Sequence, residues 1–235
     1  MNRLRQVRTE PVLLVHGFAS SFERNWREPG WADLLAEAGR QVIGIDLLGH
    51  GNADKPHDPA AYAHLDESVI AALPEDGVVD AVGFSMGAGL LLSVAAQMPE
   101  RFGRIVVGGV GANLFQTGDA EPIAAAVERA VAEEGDPGLG RAFAVFAAGA
   151  DNDPRALAAC LRRPQQRLTP KLLAGVTVPV LVVLGDKDFA GPPEPLVEAL
   201  PDASLVVLKG ADHFGTPKDF RFLDAALEFL EAVPG

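Results

Sequence analysis

Val78-Val79-Asp80-Ala81-Val82-Gly83-Phe84-Ser85-Met86-Gly87-Ala88-Gly89-Leu90-Leu91-Leu92-Ser93-Val94-Ala95-Ala96 decides the reading of this chain. An apolar run gives way to a helix-like run through Gly83-Phe84-Ser85-Met86-Gly87. Glycine, any residue, serine, any residue, glycine, set between a strand and a helix, is the pattern of a nucleophile elbow. A serine hydroxyl is a weak nucleophile until it stands exposed beside a base. A sharp turn exposes it at the expense of strained backbone angles, and glycines on either side leave room where strand and helix crowd together. The pentapeptide is short enough to arise by chance; its position between strand and helix carries the weight.

A serine of this kind takes its partners in the chain order Ser, Asp or Glu, His. Of the five histidines, His16, His50, His57 and His64 precede Ser85 and His213 alone follows it. His213 sits in Gly210-Ala211-Asp212-His213-Phe214-Gly215, behind the apolar run Ser204-Leu205-Val206-Val207-Leu208. That is a loop at the carboxyl end of a strand, where sites in parallel sheets gather. The acid belongs between Ser85 and His213. Val178-Pro179-Val180-Leu181-Val182-Val183-Leu184 reads as a buried parallel strand and ends in Gly185-Asp186-Lys187-Asp188. Either aspartate can accept the histidine's N–H while the other serves the turn, and the residues alone do not separate them. Asp212 adjoins His213, is badly placed to reach around to that imidazole, and is read as a turn residue.

These pieces, with Val12-Leu13-Leu14-Val15-His16-Gly17-Phe18 and Asp46-Leu47-Leu48-Gly49-His50-Gly51, run in order over nearly the whole chain. In them the sequence resembles the α/β-hydrolase fold superfamily, in its serine hydrolase and esterase branch with a small helical cap. The resemblance implies that Asp188 is the acid and that Asp186 shapes the turn. It implies an oxyanion hole made by the backbone N–H groups of Phe18 and Met86, and no cofactor. Relatives that open haloalkanes or epoxides are a poorer match, since they carry aspartate where Ser85 stands. The resembling proteins have two antiparallel strands ahead of the His-Gly strand. The residues before Val12 are too few for an ordinary hairpin, so truncated N-terminal strands are expected, with an edge left bare or covered by a partner.

Alternation of strands (12–15, 42–46, 78–84, 105–109, 178–184, 205–208) with helix-like stretches (31–38, 65–72, 88–97, 217–232) predicts an α/β fold. Its mostly parallel sheet of about six to seven strands has helices on both faces. Between about 113 and 175 only helical patterns occur: 123–131, opened by Pro122 and broken at Gly135-Asp136-Pro137-Gly138, then 142–148 and 154–161. The division is therefore a core of 1–112 and 176–235 with a helical insertion, 113–175, which by resemblance is a cap that shapes substrate choice.

Apolar residues at 48% and charged residues at 22% suit a folded globular chain. A net charge of −12 argues against nucleic acid and against an anionic membrane surface as partners. Cys160, the single cysteine, lies in an apolar helical run and reads as a small buried hydrophobe. With no disulfide framework and no signal-peptide-like apolar stretch after Met1, the expectation is cytoplasmic. The histidines show no metal-ligand spacing. Gly108-Gly109-Val110-Gly111 reads as a close-packed strand end rather than a dinucleotide loop. Residues 49–56 are expected to rim the site, His16 to make a structural hydrogen bond near the oxyanion loop, and Trp26 and Trp31 to be packing anchors under the cap.

The expected activity is hydrolysis of a carboxylic ester or thioester, with a small-molecule acyl substrate and an acyl-enzyme on Ser85. Alternatives on the same triad are acyl transfer, lactone opening, C–C bond hydrolysis and perhydrolysis. An alternative of another class is a non-catalytic ligand-binding receptor. No oligomeric state follows from these residues.

Overall fold

The computed structural model describes residues 8–116, 118–129, 138–148, 152–164 and 167–234. Residues 1–7, the end of the helix expected over 123–131, and most of the break at 135–138 lie outside these residues. Six strands build one sheet: β1 (Val12–Val15), β2 (Val42–Ile45), β3 (Val79–Phe84), β4 (Phe102–Gly108), β5 (Val180–Gly185) and β6 (Ala203–Leu208). They lie in the order β2-β1-β3-β4-β5-β6, with every neighbouring pair parallel. No strand precedes β1 among the described residues, and β2 and β6 are the edges.

Side chains alternate across the sheet as the strand period demands. Leu13, Val15, Ala81, Ile105, Val107, Val180 and Val182 pack on one face, against α2 (Glu67–Ala72), α3 (Met86–Gln97) and α8 (Glu194–Ala199). Val12, Leu14, Val82, Val106, Leu181 and Val183 pack on the other, against α1 (Trp31–Glu37) and α9 (Phe220–Phe229). Trp26 and Trp31 belong to this second face, edge to face at 5.1 Å, and Trp31 meets Phe222 at 4.7 Å. The indole N–H of Trp31 donates to Pro217 O. They are packing anchors as expected, but on the α9 side of the sheet and not beneath the inserted segment 113–175. Strand parity decides this, and the tryptophans' position in the sequence carries no sign of which face they join.

Between β4 and β5 the described helices are α4 (Glu121–Arg129), α5 (Leu139–Ala148), α6 (Pro154–Arg162) and α7 (Pro170–Leu173). Arg162 on α6 bridges Glu121 and Glu128 on α4. α6 starts on Asp153, whose carboxylate accepts from the N–H groups of Arg155 and Ala156, with Pro154 in the first turn.

Element edges differ from the sequence reading where one residue dominates. β5 begins at Val180 because Pro179 has no N–H to give the ladder. β2 stops at Ile45 because Asp46 turns its carboxylate onto the N–H groups of Phe22 and Asn52. α8, which has no counterpart among the helix-like stretches of the sequence, follows Pro193 and carries Pro195 in its first turn, a place that suits proline.

Candidate active site

Strand order reverses at β1: the chain goes to β2 on one side, then returns to place β3 on the other. In open parallel sheets the crevice beyond the carboxyl ends at such a point receives the ligand. Register aligns those ends, with Val15 opposite Gly83, Phe84 opposite Gly108, Gly108 opposite Val183 and Gly185 opposite Leu208. The loops carrying Gly17, Ser85, Asp188 and His213 therefore emerge together.

Ser85 has φ 51 and ψ −114, a conformation L-residues avoid. Two bonds hold it: its N–H donates to Gly108 O at 2.8 Å, and its carbonyl accepts the N–H of Gly89 at 3.1 Å. The flanking glycines are sterically required. A Cβ on Gly87 would stand 2.4 Å from Val15 O, and one on Gly83 would stand 2.8 Å from Ala88 Cα. The absence of side chains at 83 and 87 is what lets α3 begin against the end of β1.

The Ser85 hydroxyl lies 3.0 Å from His213 Nε2. His213 Nδ1 faces both Asp188 carboxylate oxygens, at 2.9 and 3.0 Å, so Nδ1 carries the proton and Nε2 is left to accept from Ser85. Asp188 is held in turn by the N–H of Ala190, 2.8 Å from Oδ1. Both members of the Asp–His pair are buried. Asp186 does something else: its Oδ1 accepts from Gly210 N–H at 2.6 Å, tying the β5 loop to the loop that carries His213. The two aspartates left undivided by residue type are thus separated by geometry. Asp212 is the turn residue expected, accepting from Gly215 N–H at 2.8 Å.

Phe18 follows a peptide pinned from both sides. Gly17 N–H donates to Asn25 Oδ1 at 2.9 Å, and Gly17 O accepts from His16 Nδ1 at 2.8 Å. His16 can donate there because its Nε2 accepts the N–H of Leu47 at 3.0 Å. In a trans peptide the N–H points opposite the carbonyl, so anchoring Gly17 O aims the Phe18 N–H away from His16. Neither that N–H nor the Met86 N–H has a hydrogen-bond partner among the described residues. The Phe18 and Met86 residues line the same cavity as Ser85. Burial lowers the affinity of His16 for a second proton. His50, packed against His16 at 5.3 Å and Phe18 at 5.7 Å, is pushed down to about 3 by burial first and by His16 second.

The cavity beside Ser85 measures about 410 Å³. Leu90 and Met86 of α3 line one part; Ile123, Phe143 and Leu161 of the inserted helices line another, with Arg163 at the exit of α6. Residues 49–56 do not line it; they support it from behind, His50 against Phe18 and Asp46 bridging Phe22 to Asn52. Gly109 and Gly111 are the close-packed strand end expected: a Cβ on Gly109 would meet Phe84 at 2.6 Å, and one on Gly111 the carbonyl of Pro192 at 2.7 Å. Cys160 is buried, and burial raises its thiol pKa. The anchoring roles of Asn25 and of Asp46, the latter read only as part of a motif, escaped the sequence reading, because a single polar residue in a helical or turn-like stretch reads as surface. Among the described residues no helix is long and apolar enough to cross a membrane.

Known proteins agree with this architecture. The 2-hydroxymuconate semialdehyde hydrolase of Pseudomonas putida is 34% identical over 124 residues, covering 51% of this chain and 41% of that protein. Matches to curated relatives span 24–41% of those proteins' lengths. A carboxylesterase structure from Nitrososphaera gargenis superposes with a TM-score of 0.73 at 21% identity, over 96% of this chain and 91% of that one. The enol-lactonase of Burkholderia xenovorans LB400 gives 0.72 at 20% identity, over 97% and 93%. At those identities the likeness is one of fold. The profile of the Alpha/beta hydrolase family matches residues 12–232, which takes in every loop that meets at Ser85, and the chain belongs to that family.

Proposed function

We propose that the protein is a serine hydrolase that cleaves a carboxylic ester or thioester through an acyl-enzyme on Ser85. The observation that carries this is the continuous hydrogen-bond chain from Ser85 through His213 to Asp188, 3.0 and 2.9 Å, at a strained elbow opening on a cavity. Ser85 Oγ attacks the carbonyl carbon as His213 Nε2 takes its proton. Asp188 keeps Nδ1 protonated and stabilises the imidazolium that forms. The N–H groups of Phe18 and Met86 receive the oxyanion. His213 returns the proton to the departing alkoxide or thiolate, and water then releases the acid.

The acyl group occupies the 410 Å³ chamber, with the inserted segment 113–175 as a cap that selects among acyl groups through Ile123, Phe143 and Leu161. A second reading, C–C bond hydrolysis, is favoured by the similarity to the Pseudomonas putida hydrolase; it uses the same three residues on a ketone.

An organophosphonate probe tests the nucleophile. Peptide mapping should find the adduct on Ser85 and Ser85→Ala should abolish it; labelling elsewhere on folded protein removes the assignment. A panel of acyl esters, thioesters, lactones and vinylogous diketones then separates the two reactions.

A further inference from the structure

We propose that Ser20 holds the water that hydrolyses the acyl-enzyme, in a one-molecule cavity beside Ser85 and His213; this rests on the acyl-enzyme reading above. Ser20 lies on the loop after β1 and is 2% exposed. Its Oγ has no hydrogen-bond partner among the described residues. A buried hydroxyl left that way is costly, and folded proteins settle such groups with a protein partner or an ordered water. Space for the water is present. Ser20 lines a second cavity of about 20 Å³, and roughly 10–15 Å³ is enough for one water.

The walls give this cavity its role. Phe84, Phe143, Phe146 and Phe214 supply apolar surface, which offers water no strong hydrogen bond. The side chains that can anchor it are few: Ser20, Asn25, Ser85 and His213. The Asn25 carbonyl oxygen is already taken by Gly17 N–H. Ser85 lines both cavities, whereas His213 lines only the small one. With the acyl group in the large chamber, the base and the ester bond to be broken meet a water held in the small one.

The step balances without any other reactant. The water oxygen bonds to the acyl carbon as its proton passes to His213 Nε2. Collapse of the tetrahedral adduct breaks the bond between that carbon and Ser85 Oγ, and the same proton moves to Oγ. Ser20 touches the water rather than the acyl group, so it is a positioning residue.

The test is Ser20→Ala under saturating p-nitrophenyl acetate, quenched at steady state and read by intact-protein mass. Loss of one ordinary hydrogen bond to the water should raise the ratio of acylated to free enzyme about five-fold. The rate of phosphonate labelling of Ser85 needs the elbow, the base and the oxyanion donors but no water, and should stay at the wild-type value. Ser20→Thr keeps the hydroxyl and puts a methyl where the water sits; it should accumulate acyl-enzyme too, whereas a purely structural hydroxyl would be rescued. An unchanged ratio in Ser20→Ala overturns the proposal. A phosphonate rate that falls in step with deacylation overturns it as well, since Ser20 would then be shaping the site. No acyl adduct in wild type or in Ser20→Ala, together with no phosphonate adduct on Ser85, removes the acyl-enzyme reading and the water site with it.

Discussion

Two aspartates are buried at opposite ends of the same sheet, and they differ in what faces them. Asp80, near the start of β3, has a fully buried side chain between two guanidinium groups, Arg40 at 2.5 Å and Arg8 at 2.8 Å. It also accepts the N–H of Arg104 at 2.8 Å. Arg40 is held in turn by the carbonyls of Glu10 and Leu230. Even the empty side of Gly103 is used: a Cβ there would meet Asp80 Oδ1 at 2.7 Å and Arg8 Nη2 at 2.6 Å. Asp188, beyond β5, meets no arginine among the described residues. Its charged neighbour-to-be is His213, a group that can be neutral or cationic. A carboxylate locked between permanent cations has nothing left to do but join β3 to β1, β2 and the carboxyl-terminal segment. A carboxylate paired with a titratable ring stabilises a charge that appears only during reaction. Burial alone therefore does not separate the two; in the mechanism proposed above, what Asp188 has and Asp80 lacks is a partner whose charge can change.

The comparison breaks most visibly at Asp188. Asp188→Asn should lower kcat on an ester by roughly 10⁴-fold, the effect of that change in a serine protease triad, with a thermal midpoint near wild type. If activity survives, the acid lies elsewhere. Asp80→Ala should do the reverse. Stranding Arg40 without its carboxylate costs about 3–5 kcal/mol, measured by urea unfolding, while activity per folded molecule in phosphonate-titrated samples holds. A variant that unfolds like wild type would mean that solvent reaches Arg40.

Two smaller effects sharpen the contrast. His16 and His50 have folded pKa values below the unfolded value of about 6.5, His50 near 3. Between those limits the unfolded chain binds protons that the folded chain refuses. Stability is therefore complete above about pH 6.5 and declines as pH falls toward 3, by at most about 1.4 kcal/mol per pH unit for each histidine. Urea midpoints across that window should fall less steeply in His50→Gln; an identical slope would show that His50 is charged without penalty. Last comes Asp186→Asn, which weakens one charge-assisted bond to Gly210. It should cost about 1 kcal/mol of stability and leave kcat/KM within a few-fold of wild type. A loss as large as that at Asp188 would reverse the roles of the two carboxylates.

Much of this was legible from residue order. Gly83 and Gly87 around Ser85 announce a junction too tight for side chains, and chain order leaves His213 as the single histidine behind the serine. Near-continuous runs such as 180–184 announce strands buried on both faces. These signals are local: each depends on neighbours within a few residues, where sterics and periodicity act. The separation of Asp188 from Asp186, which the resemblance implied but residue type did not, the partner of Asp80, and the anchoring of the Gly17–Phe18 peptide by Asn25 and His16 are of another kind. So are the side of the sheet on which Trp31 packs and the cavity at Ser20. Each depends on which residues from distant segments the register sets side by side: Gly210 opposite Asp186, Arg40 beneath Asp80, Leu47 N–H against His16. Sequence determined the strand–turn–helix grammar and the identity of the serine and histidine. Only the folded sheet decided which carboxylate meets which partner, because a hydrogen bond is made or lost over an ångström, and that distance is set by packing across segments of chain that no local pattern records.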